Sequence, residues 1–250
     1  MGSHVRKLVV LKTSPWSERA KWALDHHGLA YETINHTPFL GELRLRRIAG
    51  GRGTKRVTTP VLVDDGRVFT ESWDIALYAD QVGKGSTLIP LDQEAEIRRW
   101  NDVAEDAMKA GRALLIPRLR ASGPALDATL PPFFPRWIRP ALRPVTRYVT
   151  DWFTRKYDLR LDEAPAHLAK MRSALETLRS ALAKSSPYLL GRFSYADMVM
   201  AILLQGVVPV ADRYFPLEAP MRVAWTREDL AAEFADLIAW RDRLYEQHRR

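Results

Sequence analysis

A short segment near the start of the chain has residue types that could hold an anion. Ser14 and Ser17 flank Pro15 and Trp16, directly after an apolar run and at the opening of an amphipathic helix. The first turn of a helix offers unpaired backbone N–H groups and the positive end of the helix dipole, which stabilise an anion such as a thiolate. Ser14 can donate its hydroxyl hydrogen to that sulfur, or it can simply cap the helix. Because the chain contains no cysteine, such a thiolate must belong to a ligand.

Two further segments suit a ligand built like a peptide. Thr59-Pro60 precedes a predicted hairpin, where a cis proline leaves its neighbour's backbone polar groups free for an extended peptide; an ordinary proline at the start of a strand is the alternative. Glu71-Ser72 opens a helix, where the serine and the backbone N–H groups suit a carboxylate and Glu71 suits an ammonium group. Helix capping is the alternative for that pair. Only the order and spacing of all three segments together can favour a binding site.

The elements that must position these residues form a small mixed unit of strands and helices. In order, the patterns predict a strand at 7–12, a helix at 15–27, a strand at 30–34, a polar glycine-rich stretch at 41–59, a hairpin of strands 61–63 and 68–69, and a helix at 71–82. The order βαβ and then ββα is that of a thioredoxin-like domain of about 80 residues.

Everything after a predicted linker at 83–93 reads as helical. Helices are predicted at 92–115, 195–208 and 228–248, and one further helix has a stripe of large apolar residues along one face, at Leu168, Met171, Leu175, Leu178 and Leu182. Residues 118–157 alternate prolines with aromatic residues, which predicts an irregular insertion leading into a short amphipathic helix. The predicted fold class is therefore α+β, with a domain at 1–82 and an all-helical domain at 94–250.

Composition narrows the function classes. A content of 46% hydrophobic and 27% charged residues is ordinary for a soluble globular protein. The absence of cysteine excludes disulfides and a cysteine nucleophile and fits a reducing compartment, and no apolar stretch approaches the roughly 20 residues of a bilayer span. The N-terminus lacks the apolar core of a secretory signal, so a cytoplasmic location is expected. The histidines show no metal-ligand spacing, so no metal site is predicted.

The ordered motifs resemble those of one known family. They are Ser14-Pro15-Trp16-Ser17-x-Arg19, Thr59-Pro60-Val61-Leu62, the Asp65-Gly66 turn and Glu71-Ser72. This set resembles the cytosolic glutathione transferases, especially serine-type classes such as tau and zeta, in a divergent member of bacterial type. Phe193-Ser194-Tyr195-Ala196-Asp197 is similar to the Ser/Thr-x-x-Asp box that opens a helix of the family's second domain, and such a reciprocal N-cap supports the fold. The resemblance covers nearly the whole chain.

The resemblance implies glutathione as co-substrate. It implies that Ser14 hydrogen-bonds the glutathione sulfur, that Thr59 pairs its backbone with the cysteinyl part ahead of a cis Pro60, and that Glu71 with Ser72 holds the γ-glutamyl end. The other residues that it assigns to glutathione binding are Trp16, Ser17, Lys55 and Arg56, of which Lys55 or Arg56 meets the glycine carboxylate. The ionised thiol then attacks a hydrophobic electrophile. A homodimer is implied too, with no nucleic-acid partner.

Departures from the family pattern limit the activity. Pro15 and Trp16 stand where zeta enzymes have a Ser-Ser-Cys run, which argues against a zeta-like isomerase, and omega-like thiol transfer needs a cysteine that the chain lacks. The insertion lies where the electrophile pocket is usually built, which favours a large, flat or membrane-associated substrate.

Several alternatives stay open at this point. One is a non-catalytic binding or scaffold protein of the same fold, and another is glutathione-dependent isomerase, lyase or peroxidase chemistry. The net charge of +8 also allows a peripheral membrane or polyanion binder that acts through the basic, aromatic segment 136–156.

Overall fold

The computed structural model of the chain describes residues 5–51, 57–131 and 133–249, so Lys55 and Arg56 lie outside the described residues. Four strands form one sheet: β1 (Arg6–Val10), β2 (Tyr31–Asn35), β3 (Val61–Asp64) and β4 (Arg67–Phe69). The strand order is β2-β1-β3-β4, in which β1 runs parallel to β2 and antiparallel to β3, and β3 runs antiparallel to β4. This is the predicted βαβ unit followed by a hairpin.

Helices make up most of the remaining chain. They are α1 (Pro15–His26), α2 (Glu42–Ile48), α3 (Ser72–Val82), α4 (Glu94–Ala121), α5 (Gly123–Ala128), α6 (Arg143–Lys156), α7 (Ala164–Ser185), α8 (Tyr195–Leu203), α9 (Ala219–Trp225), α10 (Glu228–Glu233) and α11 (Ala235–His248). Short 3₁₀ turns lie at 139–142, 161–163 and 204–206. The predicted α+β class is confirmed: a small sheet with its helices precedes a predominantly helical remainder. Within the described residues, no helix combines the length and the apolarity needed to cross a bilayer.

Alternate residues of β1 face the two sides of the sheet, as the period of a strand requires. Leu8 and Val10 belong to the main core, together with the buried residues of α1 and α3. Val9 points to the other side, where it packs with Leu45 and Val61. The prediction of a polar stretch at 41–59 was therefore wrong in part, because Leu45, which is 1% exposed, anchors α2 against that face.

The helical part is organised around α8, which is buried along its whole length between α4, α11 and α1. Its first turn has the predicted reciprocal cap: Asp197 accepts from the backbone N–H of Ser194 at 2.9 Å, and the Ser194 side chain completes the box. Asp197 also accepts from the backbone N–H of Leu189 at 2.8 Å. Burial raises the pKa of Asp197 to about 6. The box thus fixes the start of a central helix.

Several predictions for the helical part were wrong in detail, and the helix predicted at 195–208 ends at Leu203. Helix α4 continues through Pro117 to Ala121 because Ile116 and Leu119 pack against α9. The predicted helix 228–248 is broken at the fully buried Phe234, which ends α10 and precedes α11. The segment 118–157 is less irregular than expected, since it contains the end of α4, all of α5 and all of α6.

The connection between α3 and α4, predicted to be a linker, is bound to both parts of the molecule. The Asp80 carboxylate of α3 accepts from the backbone N–H groups of Leu88 and Ile89, each at 2.8 Å, and lies 2.7 Å from His27 Nε2 at the end of α1. The carbonyl of Leu88 accepts from the N–H of Tyr195 at 2.9 Å, where α8 begins. Leu88 is fully buried. One short segment therefore holds the sheet unit to the central helix.

Candidate functional site

A cavity of about 1190 Å³ lies between the sheet unit and the helical part. The sheet unit lines it with segments 11–16, 35–40, 58–60 and 70–72, and the helical part lines it chiefly with α4, α6 and α9. Its volume lies above the range of about 300 to 1,000 Å³ for small-molecule sites, so it can hold a peptide-sized ligand and a second molecule together. Three of the sequence motifs, those at Ser14, Thr59-Pro60 and Glu71-Ser72, meet at this cavity.

Ser14 lies at the N-terminus of α1 and lines the cavity. Its backbone is extended, and its Oγ accepts a long hydrogen bond of 3.4 Å from the N–H of Ser17, so it caps the helix. An acceptor role leaves the hydroxyl hydrogen available. Neither that hydrogen nor the backbone N–H of Trp16 has an acceptor among the described residues. Two donors at a helix N-terminus can therefore serve an anion in the cavity.

Thr59 and Pro60 form the next part of the wall, just before β3. The peptide bond between them is cis, as the resemblance implies. Both residues line the cavity, so the main chain at this position is within reach of a ligand there.

Glu71 and Ser72 line the cavity at the start of α3. Glu71 is exposed and occupies the N-cap position, but its side chain makes no capping hydrogen bond. Glu71 therefore does not cap α3 through its side chain. Partial desolvation, with the nearby charges of Asp74 and Glu105, raises the pKa of Glu71. A carboxylate among other carboxylates favours a cationic partner, such as an ammonium group.

Trp16 and Ser17 differ in where they lie. Trp16 lines the cavity, and its indole N–H donates to Glu105 of α4 at 2.7 Å. Glu105 also pairs with Arg19, which is 1% exposed, at 3.1 Å. Ser17 is fully buried and does not line the cavity, because its Oγ accepts from the backbone N–H of Leu11 at 3.1 Å. Trp16 is thus available to a ligand, whereas Ser17 holds α1 to the end of β1.

The far side of the cavity contains a cation that the sequence analysis did not single out. The guanidinium carbon of Arg112, on α4, lies 4.1 Å from the centroid of the Trp16 ring and 4.3 Å from that of Tyr157. Burial lowers the pKa of Arg112. The only signal in the sequence is its spacing of seven residues from Glu105, two turns along the same helix face. No motif accompanies that spacing.

The insertion supplies aromatic walls of the cavity. Phe133, Phe134, Phe153 and Tyr157 all line the cavity, and the Phe153 and Tyr157 rings are 4.5 Å apart. In the part of the chain that the structure covers, no cluster of three or more acidic or histidine side chains is arranged to hold a metal ion. The arrangement is suited to organic ligands: a polar end at the sheet unit and an aromatic end at the insertion.

Comparison with known proteins agrees with this geometry. Residues 13–82 match the family model described as glutathione S-transferase, N-terminal domain. Glutathione transferase GST 23 of Zea mays is 34% identical over 122 residues, which are 48% of this chain and 52% of that protein. Glutathione S-transferase U1 of Arabidopsis thaliana is 35% identical over 107 residues, 40% of this chain and 44% of that protein. The chain thus spans about half the length of the curated relatives it matches.

Solved structures are similar over nearly the full length. A glutathione S-transferase domain-containing protein of Marinobacter aquaeolei VT8 has a TM-score of 0.62 at 21% identity, with 96% of this chain and 97% of that chain covered. A glutathione S-transferase of Ceriporiopsis subvermispora, solved in complex with glutathione, has a TM-score of 0.56 at 20% identity, with 94% and 98% covered. These likenesses show the fold. The match at residues 13–82 and the plant relatives identify a glutathione S-transferase N-terminal domain in this chain.

Proposed function

We propose that this chain binds glutathione in the cavity and activates its thiol for attack on a hydrophobic electrophile. One observation carries the proposal: Ser14 at the α1 N-terminus, the cis Thr59–Pro60 segment and Glu71-Ser72 all line one cavity. Homologues and structural neighbours named glutathione transferases support it. A homodimer and a cytoplasmic location belong to the same proposal, and they rest on the family resemblance and on the sequence.

Thiol activation rests on the donors at the α1 N-terminus. The Ser14 hydroxyl and the Trp16 N–H both lie at the N-terminal end of α1, where the helix dipole is positive. Hydrogen bonds and positive potential favour the charged form of an acid, so they lower the thiol pKa and raise the nucleophilic fraction. Capping and donation are compatible roles of Ser14, because it caps through its oxygen and donates through its hydrogen. Holding the thiolate beside the electrophile supplies much of the remaining rate enhancement.

The other residues hold the two ends of the tripeptide. The Thr59 backbone pairs with the cysteinyl part, Glu71 meets the γ-glutamyl ammonium group, and Ser72 with the α3 N-terminus takes the neighbouring carboxylate. Partial desolvation, and after it the charges of Asp74 and Glu105, raise the pKa of Glu71, and a bound cation would offset both effects, which supports this assignment. Lys55 or Arg56, outside the described residues, takes the glycine carboxylate.

A non-catalytic binding protein is the second candidate function. The observation that favours it is the hydrogen bond from Ser17 N–H to Ser14 Oγ, which gives Ser14 a structural role without any reaction. In that case glutathione binds but its thiol keeps its ordinary pKa. Isomerase, lyase and peroxidase chemistry would use the same thiolate, so they are distinguished by product and not by this site.

Calorimetric titration of glutathione tests the proposal. We expect wild type to bind, and Glu71→Ala to weaken binding at least about tenfold because it removes a charge-assisted hydrogen bond. Glu228→Ala, which removes an exposed acid from the first turn of α10, is the matched control and is expected to bind like wild type. No heat with wild type at millimolar glutathione would refute the proposal. Binding without conjugation of any electrophile would favour the non-catalytic candidate.

A further inference from the structure

Four arginines line the described part of the cavity wall, and three of them are paired. Arg118 donates to the carbonyl oxygens of Ala224 at 2.7 Å and Thr226 at 2.6 Å. Arg227 donates to the Asp229 carboxylate at 2.9 Å, and Arg160 forms an ion pair with Glu163 at 3.4 Å. Arg112 differs, because no carboxylate or carbonyl oxygen of the described residues lies within hydrogen-bond distance of its guanidinium. Among the arginines of this wall, Arg112 is the one without an oxygen partner in the described part of the chain.

The nearest candidate partner of Arg112 is already engaged. Glu105 lies two turns earlier on α4 and influences Arg112 only through its charge. Its carboxylate accepts from Trp16 at 2.7 Å and Arg19 at 3.1 Å, and Lys109 lies 3.5 Å away. Two cations and an indole N–H therefore neutralise Glu105 locally. The positive charge of Arg112 is left for something else in the cavity.

Aromatic rings hold Arg112 in place without using its hydrogen-bond donors. The rings of Trp16 and Tyr157 each lie close enough for a cation–π contact, which orients a planar guanidinium and stabilises its charge in part. The five N–H groups of a guanidinium lie in its plane, in a fork that matches the two oxygens of a carboxylate. A half-buried, oriented and unpaired arginine is thus prepared for a planar oxyanion.

The position of Arg112 favours the second substrate over glutathione as the source of that oxyanion. The residues assigned to glutathione belong to the sheet unit, around Ser14, Thr59 and Glu71. Arg112 instead belongs to α4, and it contacts Tyr157 directly after α6, where the insertion supplies the aromatic walls. Only the Trp16 contact joins it to the thiol end. An acid bound there places its apolar body among the aromatic rings and its reacting carbon toward α1.

We propose that Arg112 binds an acidic group of the electrophile, so that the preferred substrates are aromatic or similarly apolar compounds bearing a carboxylate. The inference rests on the proposed function, since it names the second substrate of that same site. In the reaction with an aryl chloride, the thiolate sulfur forms a bond to the ring carbon, the carbon–chlorine bond breaks, chloride leaves with the bonding pair, and the thiol proton goes to solvent. Arg112 holds the substrate through these steps and exchanges no proton.

Binding of an unreactive acid and its ester tests Arg112 without any reaction. We titrate 3,5-dinitrobenzoate and its methyl ester into wild type, Arg112→Met, Arg112→Lys and the control Arg155→Met, which removes an exposed arginine of α6 that does not line the cavity. Wild type is expected to prefer the acid about 10- to 100-fold, and Arg112→Met to lose that preference while it binds the ester as before. Arg112→Lys keeps part of it, and Arg155→Met keeps all of it. Equal affinity of wild type for acid and ester, or a preference that survives Arg112→Met, overturns the inference.

Conjugation and glutathione binding separate this inference from the proposed function. With 4-chloro-3,5-dinitrobenzoate and its methyl ester, Arg112→Met is expected to lower kcat/KM for the acid about 10- to 100-fold and to leave the ester within about twofold. Equal losses for both compounds, or a matching loss of glutathione affinity, overturn the assignment to the electrophile. If wild type binds no glutathione while the acid preference still depends on Arg112, the proposed function fails and the acid site stands.

Discussion

Replacing Ser14 separates its role as a helix cap from its proposed role as a donor to sulfur. The capping bond from Ser17 N–H is long, at 3.4 Å, so Ser14→Ala is expected to lower the free energy of unfolding by only about 0.5 to 1 kcal/mol. A hydrogen bond to a charged group is stronger, at about 1.5 to 3 kcal/mol. Because 1.36 kcal/mol corresponds to one pH unit, losing it raises the pKa of bound thiol by about 1 to 2 and lowers the conjugation rate near neutral pH about 10- to 100-fold.

A second variant makes the two roles diverge. Ser14→Asp keeps an oxygen that can cap α1, so stability is expected to stay within about 0.5 kcal/mol of wild type. An ionised carboxylate cannot donate and repels a thiolate, so the bound thiol pKa is expected to rise at least as much as in Ser14→Ala. Ser14→Thr retains both the oxygen and the hydroxyl hydrogen. It should therefore resemble wild type in both measurements unless its methyl group crowds the ligand.

Urea unfolding gives the stability, and the ultraviolet absorbance of the thiolate, followed against pH in the glutathione complex, gives the thiol pKa. Ser122→Ala is the matched control, because Ser122 caps α5 through a 3.2 Å bond from Ala125 N–H and does not line the cavity. It should lose stability without any change of thiol pKa. A Ser14→Ala variant with unchanged thiol pKa and unchanged rate refutes the donor role, and Ser14 is then only a cap.

Two buried charges away from the cavity give further predictions. Arg249→Met removes the cation that lies 2.7 Å from the Glu18 carboxylate, and Glu18 is 1% exposed. Urea unfolding should show that the free energy of unfolding falls by about 2 to 3 kcal/mol, a small loss for a buried charge because Lys21 remains 2.9 Å from Glu18. Adding Glu18→Gln should restore most of that free energy. A loss below about 0.5 kcal/mol contradicts this reasoning. Burial raises the pKa of Asp197 from 3.8 to about 6, so the folded chain binds this proton more tightly. The stability of wild type relative to Asp197→Asn should therefore fall by about 2 kcal/mol from pH 4 to 7, whereas a constant difference refutes the shift.

The sheet unit could be predicted from sequence because its signals are local. Alternation in the strands, the Asp65-Gly66 turn and the stop after α1 at Gly28, which has a φ of +65°, each depend on a few neighbouring residues. The motif positions at Ser14 and Glu71 follow directly from where those helices begin. Their meeting at one cavity needed the fold, and their roles toward glutathione stay predictions.

The features that sequence missed depend on partners far away in the chain. Helix α2 forms in a basic segment because Leu45 packs on Val9 and Val61, and no local pattern shows that face of the sheet. The pattern of apolar residues continues across Phe234, so sequence alone predicts one helix there. In the fold the fully buried Phe234 ring lies at the break between α10 and α11. Arg112 resembles any exposed helix arginine until Trp16 and Tyr157 are placed beside it.

The connection held by Asp80 determines how ligands meet the cavity. Because Leu88 bonds both Asp80 of α3 and Tyr195 of α8, the sheet unit and the helical part cannot swing apart at this connection without breaking these hydrogen bonds. The two walls that bring thiol and electrophile together are therefore preorganised before either ligand arrives. We therefore expect that affinity is not reduced by the rarity of a closed state, and that selection among substrates depends on shape and charge already in place.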